Sequence, residues 1–337
     1  MKKALSLMLV VLVVLSAFIC TACSSKPAAP AADATAASTA VTVKPREDGS
    51  KPVVGIVVKV LTGNSFQIDL AKALEASAVK YGFDYETHAP QTFGDFSQQI
   101  EIVEDLITKG VDLIVIAPSH ETAVTPSLLK AMEAGIPVVT IDTMLEDPNA
   151  SIAYIGPDNV QAAYQCTKYI CELMGGKGKF LHIEGDVGYA VTDWRKEGCL
   201  KALAEYPEIE LVASQNGFWS TEGGMKVMEN ALQANPDIAG VFAANDDAAL
   251  GAIEACKNAG VRPFIGGFDA IANGCQAIAD GKMDATVAFF PDTMADASFR
   301  VGAAYINFLN DGKLSYFKDW IDSGATVITP DNLDLVK

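Results

Sequence analysis

Histidine is almost missing from this chain, with only His88, His120 and His182 among 337 residues. None of them stands beside a cysteine. The five cysteines outside the N-terminal leader, Cys166, Cys171, Cys199, Cys256 and Cys275, include no CxxC pair. That spacing excludes the common zinc ligand sets, so neither a metal nor another cofactor is expected. The odd count points to buried thiols acting as small apolar side chains, and no disulfide can be assigned from it. Basic residues are also scarce: 25 Lys and Arg face 42 Asp and Glu, a net charge of −17. So acidic a body argues against nucleic acid or an anionic membrane face as partner.

Enzymatic signatures are lacking as well. No G-x-S-x-G occurs, and no histidine sits where it would activate a serine. Gly175-Gly176-Lys177-Gly178-Lys179 resembles a phosphate cradle, but a P-loop runs strand, glycines, helix, with Ser or Thr after the lysine. Here a helical pattern precedes, a strand pattern follows and Phe180 holds the critical place, so the run reads as a helix stop. Asp246 and Asp247 are consecutive at a helix start and point apart, which argues against paired acid–base work. His120 follows a strand end and is expected at the surface or a hinge. The chain is not expected to be an enzyme.

What is present begins with a leader. Lys2 and Lys3 precede an apolar run over residues 5–19, too short for a plain span, and Thr-Ala-Cys-Ser-Ser at 21–25 resembles a bacterial lipobox with Cys23 as the lipidated residue. Residues 1–22 are the expected signal peptide, and loss of Lys2 and Lys3 takes the charge from −17 to −19. Residues 23–51, rich in Ala, Thr, Ser and Pro, read as a flexible tether. The remaining length is long for one core and suits two lobes.

From residue 52 onward, short apolar runs alternate with amphipathic stretches of helical period. Strands are expected at 53–60, 85–87, 112–116, 137–141, 153–155, 179–183, 210–213, 241–244 and 263–268. Helices are expected at 66–81, 96–109, 126–134, 159–174, 194–205, 222–234 and 248–259. Such alternation is the signature of parallel α/β sheets, here built twice. In this class ligands bind beyond the carboxyl ends of strands. Those positions carry Asn64, Phe66 and Gln67, then Asp142 and Thr143. Further along come Glu184 and Asp186, Arg195, Trp219, Asn245 and Asp269. Carboxylates, amides, one arginine and aromatics suit a neutral polyhydroxylated ligand, since each hydroxyl both donates and accepts and a sugar ring has apolar faces.

KGVDLIVIAP, AGIPVVTID, IGPDN, VFAANDDAALGA and GGFDA occur in the order and spacing of a known family. Over most of 52–334 the chain resembles the periplasmic sugar-binding proteins of bacterial ABC importers, of the ribose and galactose type. That resemblance implies a type I periplasmic binding protein: two Rossmann-like lobes with parallel sheets joined by a three-strand hinge, closing on one sugar. It implies an N-terminal lobe of 52–156 plus 291–322 and a C-terminal lobe of 157–290 plus 323–337. It places Asn64 and Phe66 in the first-lobe loop that reads the sugar and Asp142 on ring hydroxyls. Arg195, Asn245 and Asp269 match the second-lobe triad, with Trp219 as stacking aromatic. Three positions depart from a ribose binder, which has an aromatic at Gln67, an arginine at Thr143 and a glutamine at Phe289. A hexose, deoxy sugar or cyclic polyol is therefore expected rather than ribose.

The expected protein is a monomeric, lipid-anchored extracytoplasmic receptor that delivers a monosaccharide to ABC permease subunits. The alternatives are a sugar sensor feeding a histidine kinase or chemoreceptor, or a receptor for a non-sugar, polyol-like signal. A sugar-responsive repressor would need a helix-turn-helix headpiece where this chain has a leader and tether.

Overall fold

The computed structural model describes residues 42–309 and 320–336. The leader and Cys23 lie outside the described residues. The first half contains β1 Val53–Val57, α1 Ser65–Tyr81, β2 Asp84–His88, α2 Phe96–Lys109, β3 Leu113–Ile116, α3 Thr125–Glu133, β4 Val138–Ile141 and β5 Ala153–Gly156. Next come α4 Asn159–Leu173, β6 Lys177–Glu184, α5 Ala190–Leu203, β7 Glu208–Asn216, α6 Thr221–Ala234, β8 Ile238–Ala243, α7 Asp246–Ala259 and β9 Phe264–Gly266. The chain closes with α8 Ala272–Ala279, β10 Thr286–Ala288, α9 Pro291–Leu309, β11 Trp320–Asp322 and β12 Thr326–Ile328.

Local chemistry accounts for the helix limits. Asn64, Asp95, Asp158, Ser220 and Asn245 each accept an N–H of the first turn that the helix itself cannot satisfy. Gly175 and Gly176, both left-handed, stop the chain after α4: their N–H groups donate to Glu172 O and Cys171 O, and β6 then starts at Lys177. The glycine–lysine run is thus a helix stop.

Two parallel sheets form two lobes. The first has the order β2-β1-β3-β4-β5-β11 and the second β7-β6-β8-β9. Both reverse direction beside their first strand, between β1 and β3 and between β6 and β8, which opens a crevice at the carboxyl edge of each. Strands such as Leu113–Ile116 are apolar and buried on both faces because helices cover both sides. Val103, Leu106 and Leu128 pack on one face of the first sheet, while Val227, Met228 and Ile253 pack in the second lobe.

The last strands tie the halves together. β11 adds to β5 of the first sheet, whereas β12 pairs antiparallel with β10. Gly267 N and Asp269 N donate to Ala285 O and Val287 O, which sets β10 beside the continuation of β9. The strand expected at 53–60 keeps its ladder only to Val57, where its partners His88 and Ile116 end. Cys166, Cys171, Cys199 and Cys256 are buried free thiols, and Cys275 is partly exposed. Among the described residues no helix is long and apolar enough to cross a membrane.

Candidate functional site

The carboxyl edges of the two sheets face each other across one cavity, with about 370 Å³ of empty space including its mouth. Lys59, Asn64, Phe66, Gln67, Phe93 and Asp142 line it from the first lobe. Tyr189, Val191, Arg195, Trp219, Asn245 and Asp269 line it from the second.

The first wall is a network around one carboxylate. Lys59 Nζ donates to Asp142 Oδ2 and to Thr143 Oγ1, each at 2.7 Å, and Gln67 Nε2 donates to the same Asp142 oxygen at 3.1 Å. Gln67 Oε1 accepts from Lys59 N at 3.0 Å, so the amide bridges strand end and helix start. Both charges are almost wholly buried, a placement that a lysine tolerates only beside a partner. Asn64 caps α1 through its Oδ1, which leaves its amide nitrogen without a partner among the described residues.

The second wall is built around a guanidinium. Arg195 Nε donates to Asn159 Oδ1 at 3.0 Å, and Nη1 donates to Ala244 O at 2.6 Å and to Asp269 Oδ1 at 3.3 Å. The planar cation lies 3.6 Å from the Phe268 ring centroid, a stacking that an ammonium group does not reproduce. Nη2 has no partner among the described residues and remains a donor. Burial raises the Asp269 carboxyl well above its ordinary range, with Arg195 opposing, and burial lowers the Arg195 guanidinium, with Asp269 and Asp142 opposing. Asn245 caps α7 through Oδ1 and donates to Trp219 O at 3.1 Å.

Backbone strain concentrates here. The non-glycine residues with positive φ among the described residues are Asp142, Phe218, Trp219, Asp269 and Ala270, all in turns after strand ends. Such φ values are costly for residues with a Cβ and tend to gather at functional sites. At 218–219 the strained turn brings Trp219 in while Phe218 stays exposed. Gly185 makes this possible, because a Cβ there would lie 2.0 Å from the indole. Trp219 Nε1 is buried with no hydrogen-bond partner among the described residues.

Of the residues singled out from sequence, Asn64, Phe66, Gln67, Asp142, Arg195, Trp219, Asn245 and Asp269 come together on the cavity. Thr143 and Phe289 do not line it. The left-handed φ of 67° at Asp142 turns the chain so that Thr143 meets Lys59 instead, and Phe289 lies fully buried behind Phe66, ring centroids 4.6 Å apart. Glu184 pairs with Lys196 and Asp186 with Asn216, both outside the cavity. His182 is buried against Phe242, and His120 stands edge-on to Phe96. Lys59, Phe93, Tyr189 and Val191 were not anticipated. Lys59 carried a signal, being the single charge in the apolar run 53–61. Phe93 and Tyr189 sit in loops with no periodicity.

Comparison with known proteins agrees with this geometry. A family described as "periplasmic binding protein domain" matches residues 54–310. The ribose import binding protein RbsB of Bacillus subtilis strain 168 is 35% identical over 251 residues, covering 74% of this chain and 80% of that protein. The D-allose-binding periplasmic protein of Escherichia coli K12 is 30% identical over 269 residues, covering 77% and 84%. Among solved structures, an ABC transporter solute-binding protein of Actinobacillus succinogenes 130z with bound D-allose superposes with a TM-score of 0.79 at 31% identity, covering 85% of this chain and 100% of that one.

Proposed function

The chain belongs to the periplasmic binding protein family, an extracytoplasmic family, and on that premise we propose that it captures one neutral monosaccharide or cyclic polyol between its lobes and presents it to an ABC permease. We take the lobes as 52–156 with 291–322 and 157–290 with 323–337. The observation that carries the reading is the charge balance of the cavity. Each wall brings one cation and one carboxylate already paired with each other, so neither wall calls for a charged ligand. What remains unmet is neutral hydrogen bonding: the Asn64 amide, Arg195 Nη2 and Trp219 Nε1 as donors, with carboxylate lone pairs as acceptors. Phe66, Phe93, Tyr189 and Trp219 offer apolar faces to a ring.

The ligand is a hexose, deoxy sugar or cyclic polyol rather than ribose. Thr143 stands where a ribose binder has arginine, and Lys59 supplies the cation of that wall from another direction. The protein acts as a monomer tethered through a lipid on Cys23. Labelled palmitate incorporated into the intact precursor and lost in Cys23→Ala supports the tether, and label retained by that variant refutes it.

A thermal-shift screen of the purified protein tests the main reading, since a ligand of the folded state raises its melting temperature. D-allose, D-galactose, D-glucose, D-ribose, a deoxyhexose and myo-inositol form the panel, with a sugar phosphate and a sugar acid as charged controls. A shift with a neutral hexose or polyol is expected. A shift only with the charged controls overturns the reading. Small-angle scattering with the ligand found should show a smaller radius of gyration, and an unchanged radius at saturation would favour a rigid one-sided site.

A further inference from the structure

Asp246 and Asp247 are neighbours at the start of α7, yet they serve different lobes. Asp246 faces into its own: Oδ1 accepts from Thr286 Oγ1 at 2.6 Å and Oδ2 from Ile271 N at 3.0 Å. Asp247 faces across the cleft. Its Oδ2 accepts from Ser65 N and its Oδ1 from Ser65 Oγ, each at 3.2 Å. Ser65 is the first residue of α1, and Asn64 as the cap satisfies only Gln67 N. The Ser65 N–H is therefore one of the donors that a helix cannot satisfy internally, and here its acceptor comes from the other lobe. A carboxylate at this position also meets the positive end of α1. Asp247 is not among the cavity-lining residues.

A second contact crosses the cleft independently. Phe93 and Tyr189, from opposite lobes, have ring centroids 5.6 Å apart. A Cβ on Gly94 would lie 1.8 Å from the Tyr189 hydroxyl, so this glycine allows the lobes to meet.

We propose that Asp247 is a positioning residue for ligand retention: it clamps the start of α1 when the lobes close and sets affinity through the open–closed equilibrium without touching the ligand. The inference rests on the two-lobe binding reading above. Opening must break both Ser65 bonds and return the groups to water. The clamp scales affinity for every ligand by the same factor, because it changes only the population of the competent state. Its signature is thus a slower dissociation with an unaltered ranking of ligands.

The test uses Asp247→Ala, Asp247→Asn and Ser65→Ala, with stopped-flow dissociation of whichever panel sugar or polyol binds the wild type. Asp247→Ala is expected to speed dissociation about 5–30-fold, the range for a charge-assisted pair at a helix start. Asp247→Asn, which keeps an acceptor, should recover part of that loss. The ranking of ligands and the ligand-free melting temperature should stay as in the wild type. Wild-type dissociation in Asp247→Ala, or a changed ranking, overturns the proposal. A ligand-free arm separates it from the sugar reading. The double variant Ser65→Cys/Asp247→Cys, oxidised with copper phenanthroline in air, should cross-link within one chain and shrink the radius of gyration reversibly. If no panel compound binds, the sugar reading fails and the cross-link alone decides: its absence overturns the clamp, and its formation supports it.

Discussion

In the first lobe a lysine meets an aspartate at 2.7 Å, flanked by an amide and a hydroxyl; in the second an arginine meets an aspartate at 3.3 Å, flanked by a carbonyl, an amide and an aromatic face. Both pairs are buried and both are neutral overall. The difference lies in what each cation can surrender. A buried lysine that loses its partner can release a proton and become neutral, whereas a guanidinium stays charged under any condition a protein survives. The first wall is therefore forgiving and the second is not. The same contrast recurs at the loops. Gln99, a neutral amide, bonds to Ala117 O and Ser119 N in the first lobe, while the ionisable Asp246 does the equivalent task in the second.

Removing the carboxylates one at a time tests that contrast most strongly. Asp269→Ala strands a permanent charge and should lower unfolding free energy by about 3–5 kcal/mol, against about 1–3 kcal/mol for Asp142→Ala, where Lys59 keeps its bond to Thr143. Urea unfolding of the ligand-free variants measures both, and equal losses would erase the distinction between the walls. Either change should also weaken binding of the ligand found by about 2–4 kcal/mol, because closure then leaves ligand hydroxyls unpaired.

The pH response should belong to the second lobe. Burial raises the Asp246 carboxyl to about 7, against the hydrogen bonds from Thr286 and Ile271 that favour its charge. A folded value above the unfolded one, ~3.9, means that the native chain holds a proton which the unfolded chain has already lost. This contribution is fully present below about pH 4, falls as pH rises, and is gone above about pH 7. Its size is about 2–4 kcal/mol, and Asp246→Asn should flatten the profile over that window in a series of melting curves. An unchanged slope in the variant would remove Asp246 as the source.

Trp219 offers a finer cut between ring stacking and hydrogen bonding. Trp219→Ala should cost ~1–3 kcal/mol of ligand affinity by calorimetry. Trp219→Phe, which keeps a ring but loses the unpartnered Nε1, should cost about 1 kcal/mol. No penalty for phenylalanine would show that the indole donor faces nothing. The smallest effect is expected at Thr143→Val, about 0.5–1.5 kcal/mol of stability through its bond to Lys59, with ligand affinity little changed. A large loss of affinity there would mean that Thr143 turns to the ligand after all.

Much of this arrangement is legible in the chain because strand ends and helix starts announce themselves. Asn64 and Asn245 are short polar residues between an apolar run and a helical pattern, and the two roles they suggested, cap and cavity wall, coexist. The helix expected at 248–259 begins two residues earlier because Asp246 and Asp247 are themselves good first-turn residues. Thr143 and Phe289 fall outside the cavity lining for reasons no sequence displays, the left-handed turn at Asp142 and the depth at which Phe289 packs. Phe93 and Tyr189 were invisible for a further reason. Their meeting is an event between lobes, and no local pattern encodes it.

The exchange of the final strands has a consequence for how the chain is made. The first sheet receives β11 only at Trp320–Asp322, and β10 receives β12 only at Thr326–Ile328. A nascent chain thus completes neither lobe until residues 320–328 have been translated. Its earlier parts carry short apolar strands with an unfilled edge at β5, which waits for residues more than 160 positions downstream, as between Tyr154 and Trp320. Pairing across such distances is slow. That delay leaves the first sheet open at β5 and β10 without its antiparallel partner until those late strands have been made.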